Sequence, residues 1–146
     1  MEQDNSLKNN ILPVINIPAA FDTPEVELDK EKGIFRITGS SYPEDPLVFY
    51  RRIHEWFTAY AQNPNPETVL EVHFKYFSTS STQIFFEIFR IMEDLKREGK
   101  DVAIRWLYDS ENEEIKENGE NYSTLFDVPF QLIEVEVKPE ENTQND

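Results

Sequence analysis

Leu70-Glu71-Val72-His73-Phe74-Lys75-Tyr76 alternates apolar and polar residues, then runs through Phe77 into Ser78-Thr79-Ser80-Ser81-Thr82. Successive side chains of a strand point to opposite faces, so this stretch predicts a strand with Leu70, Val72, Phe74 and Tyr76 on one face. Glu71, His73 and Lys75 fall on the other. Beyond the hydroxyl cluster the period changes. Ile84, Ile88, Ile91 and Leu95 form a helical stripe flanked by Phe85, Phe89 and Met92, and Gly99 closes it.

The same alternation of strand and helix extends in both directions. Upstream, Val26 and Leu28 alternate with acidic residues, Lys32-Gly33 makes a turn, and Ile34 to Thr38 gives a second strand, which together read as a hairpin. Gly39-Ser40-Ser41-Tyr42-Pro43 reads as a loop. Leu47, Tyr50, Ile53, Phe57 and Tyr60, with Trp56 beside them, then recur at helical spacing up to Asn63-Pro64-Asn65-Pro66. Downstream, residues 102 to 108 form a strand with Ile104 and Trp106 toward the core, residues 109 to 125 an acidic helix interrupted by Gly119, and residues 130 to 137 a last strand. The order β-β-α-β-α-β-α-β predicts an α/β domain whose mixed sheet is mostly parallel, with an N-terminal hairpin and right-handed crossovers. Strands buried on both faces are nearly all apolar; these alternate, so the helices are expected mainly on one face.

Composition narrows the function. The 146 residues suffice for one domain with a real core, and 11 Phe, 6 Tyr and 2 Trp supply it. A formal net charge of −15 repels phosphate backbones and anionic headgroups, which argues against nucleic acid and favours a basic or hydrophobic protein partner. The absence of cysteine removes disulfides, thiolate metal sites and cysteine nucleophiles. No apolar run approaches the ~20 residues that cross a bilayer, and the first ten residues hold no apolar signal core, so a cytoplasmic location without membrane insertion is expected. Asn121-Tyr122-Ser123 matches a glycosylation sequon that has no meaning without secretion.

Catalytic and metal readings find little. The four glycines form no phosphate-binding loop, and His54 and His73 have no sequence partner that makes a triad or metal pattern. Asp109, Glu111, Glu113 and Glu120 occupy calcium-loop positions one, three, five and twelve, but Glu114 stands where that loop needs glycine. No enzyme, cofactor or metal is expected. The five consecutive hydroxyls differ in kind. One reading is a helix cap, with Ser80, Ser81 or Thr82 accepting from free backbone N–H groups. The other is a phosphorylation site, since a phosphate at a helix start meets the same N–H groups and the positive end of the helix dipole. Physical chemistry alone leaves both open and leans to the cap.

A set of short motifs carries a family resemblance. Asp22-Thr23-Pro24-Glu25-Val26, Gly39-Ser40-Ser41-Tyr42-Pro43-Glu44 and Tyr76-Phe77-Ser78-Thr79-Ser80-Ser81 come first. Trp106-Leu107-Tyr108-Asp109, Gly119-Glu120-Asn121-Tyr122 and Pro129-Phe130 follow in order. The chain resembles the SiaC-type regulatory phosphoproteins, bacterial single-domain relatives of the STAS or anti-sigma-factor-antagonist fold. The motifs run across roughly residues 22 to 133, and the resemblance implies a STAS-like domain, placed at 23–137; the Asn- and Pro-containing, aperiodic residues 1–22 read as an extended arm and the acidic, polar residues 138–146 as a disordered tail. It implies Thr79 as phosphoacceptor, with Ser78, where the family usually has asparagine, and Ser80 as alternatives. It also implies a cognate kinase of histidine-kinase-like ATPase type and a metal-dependent phosphatase. The unmodified form would bind and control an effector such as a diguanylate cyclase, and so act in cyclic-di-GMP signalling. Ser41, Tyr42, Pro43, Ser80 and Ser81 are then the expected partner-binding residues. The rival expectation is a constitutive interaction or scaffold domain in which the cluster only caps the helix.

Overall fold

The computed structural model describes residues 12–137. The expected acidic tail at 138–146 and the first part of the arm lie outside them. Six strands form one sheet in sequence order: β1 (Ile15–Ile17), β2 (Glu25–Asp29), β3 (Ile34–Ser41), β4 (Glu67–Phe77), β5 (Asp101–Asp109) and β6 (Phe130–Val135). The first two pairings are antiparallel and the next three parallel. Helices α1 (Pro46–Tyr60), α2 (Thr79–Arg97) and α3 (Glu113–Leu125) make the three crossovers.

All three helices lie on one face, as the alternation predicts. Phe35, Ile37, Leu70, Val72, Phe74, Val102, Ile104 and Trp106 of the sheet are buried against Ile53, Phe57, Phe85, Phe89 and Tyr122 of the helices. The opposite face carries charge instead of helices. Arg36 bridges Glu27 at 3.0 Å and Glu71 at 3.7 Å, Arg105 reaches Glu71 from the other side at 3.7 Å, and His73 Nε2 lies 2.8 Å from Asp109 Oδ1. Cross-strand pairs of opposite sign keep this face compatible with water.

Several details depart from the sequence reading. β1 falls inside the expected extended arm: Ile15 and Ile17 pair with Leu28 and Val26, and the Trp56 indole donates to the Pro13 carbonyl at 2.7 Å. Gly39 to Ser41 do not form a loop but continue β3, and Gly39 adopts φ 131° where a Cβ would stand 3.3 Å from Pro24 Cα. Asp109 belongs to β5, so the acidic helix begins only at Glu113, after an Asn112 cap. β6 ends at Val135. Leu47, placed on the core stripe of α1, sits in its first turn and is 70% exposed.

The largest departure concerns Tyr76. Gly39 of β3 pairs with Phe74 of β4, but the next residue, Ser40, pairs with Tyr76, so Lys75 is an extra residue. A bulge of one residue reverses the in–out alternation beyond it. Tyr76 turns outward and is 49% exposed, while Phe77 turns in and stacks on Phe74 at 4.6 Å.

Candidate functional site

Each helix starts just after a parallel strand, so the α1, α2 and α3 N-termini gather at the carboxyl ends of β3, β4 and β5. Open α/β sheets place their sites at this edge. The bulge in β4 delivers the hydroxyl cluster there, immediately after the inward-turned Phe77.

The cap of α2 is Ser78, not Ser80, Ser81 or Thr82. Its backbone is extended (φ −75°, ψ 155°), its N–H donates to the Ser41 carbonyl at 2.9 Å, and its Oγ accepts from the Ser81 N–H at 3.3 Å. Capping favours a hydroxyl on the last extended residue before the helix, whose oxygen reaches forward to an N–H two or three residues on, and that residue is Ser78. The other hydroxyls divide sharply. Ser81 Oγ is fully buried, 2.9 Å from both Ser41 Oγ and Ser78 Oγ. Ser80 is exposed and shares a 3.1 Å hydrogen bond with Ser78, and Thr82 Oγ1 donates back to the Thr79 carbonyl at 2.6 Å. Thr79 is exposed at the first helical position, and its hydroxyl has no hydrogen-bond partner among the described residues. The Thr79 and Ser80 N–H groups, at the open end of the helix, are likewise free there.

The expected partner-binding residues separate into two groups. Ser41 and Ser81 are fully buried and Pro43 is buried, so these side chains support the surface from beneath. Ser41 instead joins Ser81 to Tyr50 Oη, 2.6 Å away in α1. Burial pushes the Tyr50 phenol above its ordinary value, against a smaller opposing effect of the Ser41 hydrogen bond. Tyr42 and Ser80 do reach the surface.

Sequence reasoning missed the aromatic neighbours of this edge. Phe21, 85% exposed, packs edge-to-face on Tyr42 at 5.7 Å, and Tyr42 does the same on Tyr76 at 5.2 Å. Only the bulge brings Tyr76 to this row, and nothing in the alternation of β4 announces it. On the other side of the cluster, Leu47, Tyr50, Arg51, His54, Ile84 and Glu87 line an open groove between α1 and α2. The histidines take ordinary roles, His54 3.5 Å from Glu87 and His73 paired with Asp109. Among the described residues no group of three or more His, Asp or Glu is placed to hold a metal, and no helix is long and apolar enough to cross a membrane.

A mostly parallel sheet with its helices on one face defines a small α/β domain, and an exposed hydroxyl stands at the start of its second helix. The SiaC family regulatory phosphoprotein model matches residues 17–135, and the chain belongs to that family. A Pseudomonas aeruginosa (strain UCBPP-PA14) protein described as uncharacterized is 26% identical over 118 residues, covering 81% of this chain and 94% of its own length. The crystal structure of apo-SiaC from Pseudomonas aeruginosa superposes with a TM-score of 0.78 at 24% identity, covering 84% of this chain and 99% of that one. The crystal structure of the diguanylate cyclase SiaD in complex with its activator SiaC, from the same organism, gives a TM-score of 0.78 at 26% identity. That match covers 83% of this chain and 99% of the other.

Proposed function

We propose that this chain is a phosphorylation-switched binding protein whose acceptor is Thr79. One observation carries the reading: of five consecutive hydroxyls, Thr79 alone is both exposed and without a hydrogen-bond partner among the described residues. Ser78 is engaged as the cap and Ser80 is bonded to it, which makes both poorer acceptors. The γ-phosphoryl of ATP moves to Thr79 Oγ1: the new O–P bond forms, the β–γ bridging bond breaks, ADP leaves, and the hydroxyl proton passes to a base of the kinase. The free Thr79 and Ser80 N–H groups and the helix dipole then stabilise a group of about −1.5 to −2 charges.

The unmodified surface binds the effector, and the added phosphate obstructs it. The complex of the related SiaC with a diguanylate cyclase supports an effector of that kind. A kinase of histidine-kinase-like ATPase type installs the phosphate and a metal-dependent phosphatase removes it. This domain works in the cytoplasm as a regulator and leaves the chemistry to its partners.

The test is incubation with ATP and the kinase encoded beside this chain, followed by peptide mass spectrometry. Phosphate on Thr79, with loss of effector binding in a pull-down, is the expected result. An unmodified Thr79, or full binding by the phosphorylated form, overturns the reading.

A further inference from the structure

Beneath Thr79 runs an unbroken chain of hydroxyls from the protein interior to the surface. Tyr50 Oη meets Ser41 Oγ at 2.6 Å, Ser41 Oγ meets Ser81 Oγ at 2.9 Å, Ser81 Oγ meets Ser78 Oγ at 2.9 Å, and Ser78 Oγ meets Ser80 Oγ at 3.1 Å. The chain crosses three elements: α1, the end of β3 and the first turn of α2. Its inner members have no access to water, Ser41 and Ser81 being fully buried and Tyr50 nearly so. Such members must find their partners within the protein, in one another or in the Ser41 carbonyl.

Each hydroxyl carries a single proton, so the direction of one bond constrains the next. When Ser81 donates inward to the Ser41 carbonyl, 3.3 Å away, its Oγ is left to accept from its neighbours. Hydrogen bonds in a chain also polarise one another, so the preferred direction is collective.

We propose that this chain is a relay: a phosphate on Thr79 turns its donors outward and so reaches Tyr50 in α1. Phosphate oxygens attract O–H donors more strongly than a neutral hydroxyl does. Ser78 and Ser80 flank Thr79 in sequence, and a Ser78 O–H drawn toward the phosphate leaves its Oγ to accept from Ser81. Ser81 then accepts from Ser41, and Ser41 from Tyr50. The phenol at the inner end becomes an obligate donor, a role open to it because burial keeps it protonated. Tyr50 lies under the groove between α1 and α2, so the modification is carried to the helix that forms one wall of a second surface, which the phosphate does not cover.

The relay rests on Thr79 as the modified residue but needs no kinase for its test. Phosphothreonine is encoded at position 79 during translation, and the ring carbon bearing the phenol oxygen is labelled in tyrosine with carbon-13. The Tyr50 resonance is assigned by its absence in Tyr50→Phe. Phosphorylation is expected to shift the Tyr50 signal, and Ser41→Ala, which cuts the chain without moving the charge, is expected to abolish that shift. Tyr42 lies outside the chain and serves as the control for the direct field of the phosphate. An unmoved Tyr50, or an equal shift in Ser41→Ala, overturns the relay. If Ser41→Ala does not fold, Ser81→Ala cuts the chain one bond further out and gives the same readout, and the unsubstituted pair alone still overturns the proposal when Tyr50 does not move. An encoded phosphate that shifts Tyr50 in a chain its neighbouring kinase never modifies separates the relay from the switch.

Discussion

Gly119 of α3 lies so close to Trp106 of β5 that a Cβ on it would stand 2.6 Å from the indole Nε1 and 2.8 Å from Cγ. The ring is also tied to that helix, its Nε1–H donating to the Ile115 carbonyl at 2.9 Å. Replacing a mid-helix glycine by alanine ordinarily gains ~1 kcal/mol. Overfilling a packed site costs ~1–3 kcal/mol, and the indole is hemmed in by Phe74, Phe77, Phe89 and Tyr122. Gly119→Ala is therefore expected to destabilise the domain, and urea denaturation reads the sign directly.

The assignment of the cap to Ser78 separates the hydroxyls by stability. Ser78→Ala is expected to cost ~1 kcal/mol, within a range of about 0.5 to 2. Ser80→Ala and Thr79→Ala, both exposed, are expected to stay within ~0.5 kcal/mol of the parent. Equilibrium denaturation of the three variants checks the order, and equal costs at Ser78 and Ser80 would sink the assignment.

Tyr50 and Tyr122 make stability fall in alkali. Burial raises both phenols above their ordinary value of 10.0, and for Tyr122 the nearby Tyr50 adds a smaller push in the same direction. The unfolded chain then releases these protons first, so the contribution is complete below about pH 10 and is lost as the pH rises. The expected slope approaches −1.4 kcal/mol per pH unit for each phenol, about twice that for the pair. Denaturation at a series of pH values above 9 measures it, and Tyr50→Phe should remove about half.

Trp56 fastens the edge of the sheet. Its indole donates to the Pro13 carbonyl next to β1, and its ring stacks on Tyr60 at 5.3 Å. Trp56→Phe keeps much of the apolar contact but deletes the donor. A loss of about 1 kcal/mol is expected, together with faster amide exchange confined to Ile15–Ile17. Exchange that quickens equally throughout the sheet would contradict a local fastening.

The α/β order, the parallel pairings and the one-sided helices were legible because each rests on a period that Leu70 to Phe74 and Ile84 to Leu95 display openly. What escaped is what periodicity cannot encode. The bulge at Lys75 depends on Gly39 in the neighbouring strand, so Tyr76 was assigned to the wrong face. Gly119 reads locally as a weak point in a helix, but its reason is an indole 13 positions earlier in the chain. The Ser/Thr run marked the right place, yet which hydroxyl caps, which are buried and which is free depends on Ser41 and Tyr50, brought from the preceding crossover. Ile15-Asn16-Ile17 is too short to show an alternation, and only its pairing with β2 makes it a strand.

The neighbour-by-neighbour order of the six strands also bears on how the chain finds this shape. Every strand lies beside the one that precedes it in sequence, so no pairing spans more than one hairpin or one crossover. Closing a short loop costs less entropy than closing a long one, and contacts of low sequence separation form early. The sheet can thus grow strand by strand from the hairpin, and the Ser41–Ser78 contact closes as soon as α1 and β4 have docked. The edge that carries Thr79 is built from the middle of the chain and needs no strand from its C-terminal third.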